Sequence, residues 1–97
     1  MSEVRTAPVK ATLVSDIDSP GAPAGAFELF NAGERAFAGM IYICPCGCGA
    51  KGALNFRPHE SPSWDWDGNR DAPTLSPSVH HVGHWHGWLR NGIWESC

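Results

Sequence analysis

Three cysteines fall within five residues, Cys44-Pro45-Cys46-Gly47-Cys48, and no other stretch restricts folding as tightly. Pro45, Gly47, Gly49 and Gly52 interrupt regular structure here and permit a tight knuckle of backbone around something bound. Disulfides between alternate residues of so short a run are strained, because S–S bonds demand particular Cα separations and dihedrals. With Cys97 the chain has four cysteines. In a protein that is not exported, clustered cysteines near histidines bind metal more often than one another.

The last fourteen residues, HWHGWLRNGIWESC, are two β-prone runs separated by Asn91-Gly92, the pair best suited to a two-residue type I′ hairpin. That turn fixes the register. Arg90 faces Ile93, Leu89 faces Trp94, Trp88 faces Glu95, Gly87 faces Ser96 and His86 faces Cys97. Directly opposed residues hold their Cβ atoms about 4.5–5.5 Å apart on one side of the sheet, a workable spacing for two ligands of one ion. Alternation puts His84, His86 and Trp88 on one face, while Trp85 and Leu89 enter the core. Gly87 leaves space on that second face for a neighbouring ring.

Two knuckle thiolates with His86 and Cys97 would make a tetrahedral Cys3His site of the kind that Zn2+ favours in structural roles. His84 and the third knuckle cysteine are spare candidates. In an extended chain Cys44 shares a face with Cys46, and Cys46 with Cys48; a looped knuckle presents Cys44 and Cys48 instead, so the pair stays open. Zinc is preferred because mixed thiolate and imidazole ligation suits it and needs no redox poise. The expected metal set is therefore drawn from Cys44, Cys46, Cys48, His84, His86 and Cys97.

The rest of the chain reads as mainly β, a small single-domain antiparallel sheet. Residues 1–25 are expected to form an N-terminal arm or loop with a short strand near Val9 to Val14, and residues 26–97 the zinc-stabilised domain. Phe27 to Phe30 and Phe37 to Cys44 look like strands, separated by a turn containing Asn31, Gly33, Glu34 and Arg35. Ala53 to Phe56 resumes a strand, and Trp64 and Trp66 alternate with Asp65 and Asp67 in the period-2 pattern of a half-buried strand. Pro73 and Pro77 bracket an extended Thr74 to Ser76, and His80-His81 reads as a solvated loop. No stretch has a sustained helical period.

At 97 residues the chain buries only about two-thirds of its unfolded surface, so its core is thin. All five tryptophans lie after residue 63, which puts the packing mass in the second half. The net charge is −3, with seven scattered Lys and Arg, whereas binding to phosphates normally needs a basic face. No apolar run approaches the roughly 18 residues of a spanning helix and no leader pattern opens the chain, so a cytoplasmic protein is expected.

These elements resemble a family of small domains found in phages, prophages and bacteria. The shared features are a CPCGCG knuckle (Cys44 to Gly49), a tryptophan strand (Trp64 to Trp66), a PTLSPS segment (Pro73 to Ser78) and a final hairpin of the H-x-W-L-R-N-G type (His86 to Gly92). Many relatives carry a cysteine three residues before the hairpin histidine, where Gly83 stands here. The resemblance implies this fold, a zinc ion and a phage or prophage origin, but no agreed activity.

The leading functional expectation is a zinc-stabilised module that binds another protein or a phage or host assembly, as a virion component or a host-directed factor. Its surplus tryptophans would serve as contact residues. The alternative is a zinc-dependent hydrolase or transferase with His84, His59, Glu60 or Asp67 as general base. A third is a single-stranded nucleic-acid binder, which the charge disfavours. Ser76 and Ser78, flanked by prolines, read as turn and strand-end residues, because spacing alone reveals no Ser-His-Asp arrangement.

Overall fold

In the computed structural model, which describes residues 5–58, 60 and 62–97, both residues of the Asn91-Gly92 turn take left-handed backbone conformations (φ 49° and 72°). A type I′ turn requires this. The turn joins β8 (Trp85–Arg90) to β9 (Ile93–Ser96), and the pairing is Gly87 with Ser96, Trp88 with Glu95, Leu89 with Trp94 and Arg90 with Ile93. The expected register is the observed one.

The other described strands are β1 (Val9–Lys10), β2 (Phe27–Ala32), β3 (Arg35–Ile43), β4 (Lys51–Asn55), β5 (Asp65–Trp66), β6 (Leu75–Ser76) and β7 (Val79–His81). They form a four-stranded sheet in the order β1-β9-β8-β7, a three-stranded sheet β2-β3-β4 and the pair β5-β6, all with antiparallel neighbours. There is no helix among the described residues, hence none long and apolar enough to cross a membrane. The architecture is the small all-β single domain that the alternating pattern implies.

One core unites the two larger sheets. Phe27, Met40, Tyr42 and Leu54 of the three-stranded sheet pack with Val79, Trp85, Leu89 and Trp94 of the four-stranded one, joined by Cys44, Phe56 and Leu75. Trp85 and Trp94 are fully buried, and their rings meet edge to face at 5.7 Å. A buried indole N–H needs an acceptor. Trp94 donates to the Gly25 carbonyl at 2.9 Å, and Trp85 to the Ser96 hydroxyl at 3.0 Å. Trp64 and Trp66 pack against this core while half-buried, and Trp66 stacks on Phe56 at 4.9 Å.

The segment before residue 26 is integrated into this arrangement where it is described. β1 pairs with β9 through Val9 with Trp94 and Lys10 with Ile93, Leu13 bridges Phe27, and the Thr6 N–H donates to the Ser96 hydroxyl at 2.9 Å. Ile17 joins Ala26 and Ile43 in a second, smaller apolar cluster.

His80-His81 is not a solvated loop. It lies in β7, which pairs with β8 through Val79 with Gly87, His80 with His86 and His81 with Trp85. The buried Val79 points into the core, and alternation carries Ser78 and His80 to the opposite face. Prolines around Ser76 and Ser78 obscure this alternation in the sequence, because they suggest that pairing stops there.

The space beside Gly87 is filled by the indole of Trp85 on the same strand. A Cβ at Gly87 would lie 2.5 Å from Trp85 Cη2 and would also collide with the Glu95 carbonyl oxygen. Overpacking of a tight core costs about 1–3 kcal/mol, and backbone on one side leaves little to yield. Gly87→Ala is therefore expected to destabilise by about 3 kcal/mol, read as a lower denaturation midpoint at unchanged slope. An unchanged midpoint would show that the strands separate freely at this point.

Candidate active site and thiol cluster

Ser78 and His86 meet on the outer face of the four-stranded sheet. Ser78 immediately precedes β7, and His86 lies on β8 opposite His80, so the serine is diagonal to the histidine across the strand pair. The His86 Nε2 atom lies 3.1 Å from the Ser78 Oγ. Both residues are half-buried. This is hydrogen-bond distance, with the direction of the bond set by the tautomer of the ring.

Two neighbours hold the pair. The Trp64 indole N–H donates to the Ser78 carbonyl at 3.2 Å, tying the serine backbone to the tryptophan strand. The His80 ring lies 4.6 Å from the His86 ring at a tilt of 37°. Among the described residues no carboxylate is hydrogen-bonded to His86. A serine hydroxyl whose proton can pass to an adjacent neutral imidazole is an activated nucleophile. The arrangement is chemically suited to attack on a carbonyl.

The knuckle forms a second site. Cys44, Cys46 and Cys48 place their sulfurs within 4.8 Å of one another, and Cys44 Sγ lies 3.2 Å from Cys46 Sγ. Backbone bonds shape the loop: the Cys44 N–H donates to the Ala50 carbonyl at 2.8 Å, and the Gly47 N–H to the Cys44 carbonyl at 3.2 Å. All three thiols are free, and they grade from buried Cys44 through half-buried Cys46 to exposed Cys48. Zn–S bonds of about 2.3 Å in a tetrahedron set sulfurs about 3.8 Å apart, so this group is spaced to share one ion.

Electrostatics within the knuckle are uneven. Burial pushes the Cys44 thiol up to about 12, with the neighbouring Cys46 and Cys48 thiols adding to it. The Ala50 N–H, 3.4 Å from Cys48 Sγ, leads the contacts that pull the Cys48 thiol down. Burial raises the Tyr42 hydroxyl to about 12, and the charges of Cys44 and Cys48 add to the rise. A bound dication reverses such logic, since a coordinating thiol is deprotonated outright.

Of the six residues expected as metal ligands, the structure brings together Cys44, Cys46 and Cys48. The other three lie outside that group. His86 contacts Ser78, and the Cys97 N–H donates to the His86 carbonyl at 3.1 Å, so the two face each other across the hairpin while the Cys97 thiol is exposed. The His84 ring lies 4.9 Å from that of His81. The hairpin register holds His86 and Cys97 opposite each other, but a register says nothing about which other element packs beside it.

The proposed general bases are dispersed. The Asp67 carboxylate accepts from the Asn69 and Thr74 N–H groups at 3.0 and 3.2 Å and so holds a turn. Glu60 is exposed, and His59 lies outside the described residues. Ser78 is the candidate-site residue that the prolines concealed. Its signal was the alternation Ser78-Val79-His80, which pairs with β8 once Val82 to His84 are read as the connecting turn.

A family model described as bacterial ubiquitination-like system serine protease (BubE) matches residues 14–97. That description names a bacterial system, and the expected phage or prophage origin draws no support from it. No curated protein and no solved structure matches the chain.

Proposed function

The chain belongs to the family of bacterial ubiquitination-like system serine proteases, and on that premise we propose that Ser78 is its nucleophile and His86 its general base. The observation that carries this reading is the 3.1 Å contact between His86 Nε2 and Ser78 Oγ on the outer face of the β7–β8 pair. With its proton on Nδ1, His86 accepts the Ser78 hydroxyl proton through Nε2 as Oγ attacks the substrate carbonyl. The resulting imidazolium then returns the proton to the leaving group as the scissile bond breaks. Water releases the acyl group from Ser78 by the same route in reverse.

The substrate, on this reading, is a ubiquitin-like protein extended at or joined through its C-terminus. The expected protein partner then becomes the protein that is cut. Sites built on paired strands hold their groups more firmly than sites on loops, and both members here stand on or beside β7 and β8.

The knuckle serves as a structural metal site. Three thiols of mixed burial, clustered at the end of β3, suit zinc, and Cys44 ties that ion to the core. Ser78 and His86 supply the nucleophile and base without drawing on the thiols, which favours the serine route over a zinc-activated water.

A fluorophosphonate probe tests the assignment. It should modify the protein once, at the peptide containing Ser76 and Ser78, with fragmentation placing the adduct on Ser78. Labelling at Ser76, or hydrolytic activity that survives the probe unlabelled, would overturn the assignment.

A further inference from the structure

His81 has the one buried side-chain nitrogen or oxygen without a hydrogen-bond partner among the described residues, its Nδ1. A buried polar atom left unpaired costs about 1–3 kcal/mol, so each such atom in a folded protein calls for a reason. The residue lies at the end of β7, just before the turn through Val82 and Gly83 that leads to β8. Its ring meets Tyr42 edge-on at 5.8 Å. Tyr42 stands on β3 two residues before Cys44, and both belong to the main core cluster, against which Cys46 packs. The unpaired nitrogen and the thiol cluster are therefore both neighbours of one side chain.

The cluster is itself incomplete. Three sulfurs fill three corners of a tetrahedral zinc site, and structural sites are closed by a fourth protein ligand. His86 is already engaged by the Ser78 hydroxyl, and the Cys97 thiol is exposed at the hairpin end. An imidazole nitrogen with no other partner is a suitable donor.

We propose that His81 closes the site, its Nδ1 joining Cys44, Cys46 and Cys48 as the fourth ligand of one zinc ion. This rests on the reading of the knuckle as a zinc site. His81 lies outside the group of sulfurs within 4.8 Å of one another, so the imidazole advances past the edge of Tyr42 when the ion binds. The turn at Val82 and Gly83, both exposed, follows His81 directly. Ligation of this kind resolves the unpaired nitrogen and joins the β3–β4 knuckle to the β7–β8 turn. The strand that carries Ser78 is thereby anchored at its far end.

Cobalt(II) substitution in the full chain tests this. Wild-type protein, reduced and exchanged into cobalt, should show intense tetrahedral ligand-field bands with thiolate charge transfer, and X-ray absorption should fit three sulfurs and one nitrogen. Losing an outer-shell partner of a metal ligand costs roughly 10–100-fold in affinity, so losing the ligand itself in His81→Ala should cost about 100-fold or more. His81→Cys should restore tight binding with bands moved to those of four sulfurs, and it serves as the measurement if His81→Ala fails to fold. His84→Ala should leave affinity and bands unchanged.

Wild-type binding with His81→Ala equally tight and spectrally identical would overturn His81 while leaving the zinc site standing. Bands that change in His84→Ala instead would assign the ligand to His84 and also overturn His81. A wild-type protein that takes up no cobalt would remove the zinc site and the ligand together.

Discussion

Ser78→Ala is expected to slow hydrolysis of a ubiquitin-like fusion substrate by about 10⁴-fold or more, with little change in KM. The size follows from the role. A nucleophile and its base act as a unit, and removing either from a serine protease has cost up to about 10⁶-fold in kcat. No carboxylate among the described residues supports His86, so the lower part of that range applies here. His86→Ala should cost about as much, because the hydroxyl is a weak nucleophile without an acceptor for its proton.

Folding should survive either change. The contact between Ser78 and His86 is one half-buried hydrogen bond, worth about 1 kcal/mol. Ser76→Ala is the informative control, since Ser76 is exposed and lies in β6. Single-turnover rates with thermal melts for all three variants make the comparison. A Ser78→Ala protein that retains wild-type turnover would refute the nucleophile assignment.

On the reading of the knuckle as a zinc site, removing the ion should unfold the protein. A structural zinc contributes an apparent 10–16 kcal/mol or so at neutral pH, against a net stability of roughly 5–15 kcal/mol for a whole domain. Beyond the β3–β4 pairing and the backbone bonds from Cys44 to Ala50 and from Gly47 to Cys44, the knuckle has little to hold it, and its nine residues from Cys44 to Gly52 include four that are Pro or Gly. Cys44 is fully buried in the main core, so a change at the ion is felt there directly. A strong chelator under reducing conditions should therefore expose Trp85 and Trp94, shifting tryptophan emission to the red, and should abolish the cooperative melt.

Restoring zinc should reverse both changes and release protons, since thiols in the unfolded chain, with an ordinary pKa of about 8.5, are mostly protonated at neutral pH and ligate as thiolates. The release per ion should grow as pH falls below the ordinary thiol range and shrink as it rises. A chelated protein with an unaltered melt would show that the core stands without the ion.

How much of this is legible in the residues depends on whether the signal is local. The Asn91-Gly92 turn and its flanking runs determine the hairpin because a two-residue turn leaves one register. Phe37 to Cys44 declares β3 by its apolar, β-prone run, and Pro45 with Gly47 declares the knuckle. Alternation also shows that Gly87 leaves room for a ring, though not that the ring is that of Trp85 on the same strand. β7 is different. It is three residues long, follows Pro77 and carries two histidines, so its propensity is weak and its existence depends on pairing with β8.

The same non-local pairing produces the candidate site. Ser78 and His86 are eight residues apart in the chain, and they touch only because Val79 enters the core and the turn after His81 folds β8 back alongside. His86 stands on its expected strand face, and the hydroxyl beside it comes from a strand that its own residues do not announce. His81 was hidden for a related reason, since an unpaired nitrogen becomes visible only when burial is known.

Coupling between Ser78 and His86 is the most direct test of the mechanism, and a double-mutant cycle measures it. Single-turnover rates for wild type, Ser78→Ala, His86→Ala and the double variant give the coupling from four numbers under one condition. If the hydroxyl and imidazole act as one device, the double variant is no slower than the slower single variant. If the two losses multiply instead, the residues contribute separately and the proposed dyad does not exist.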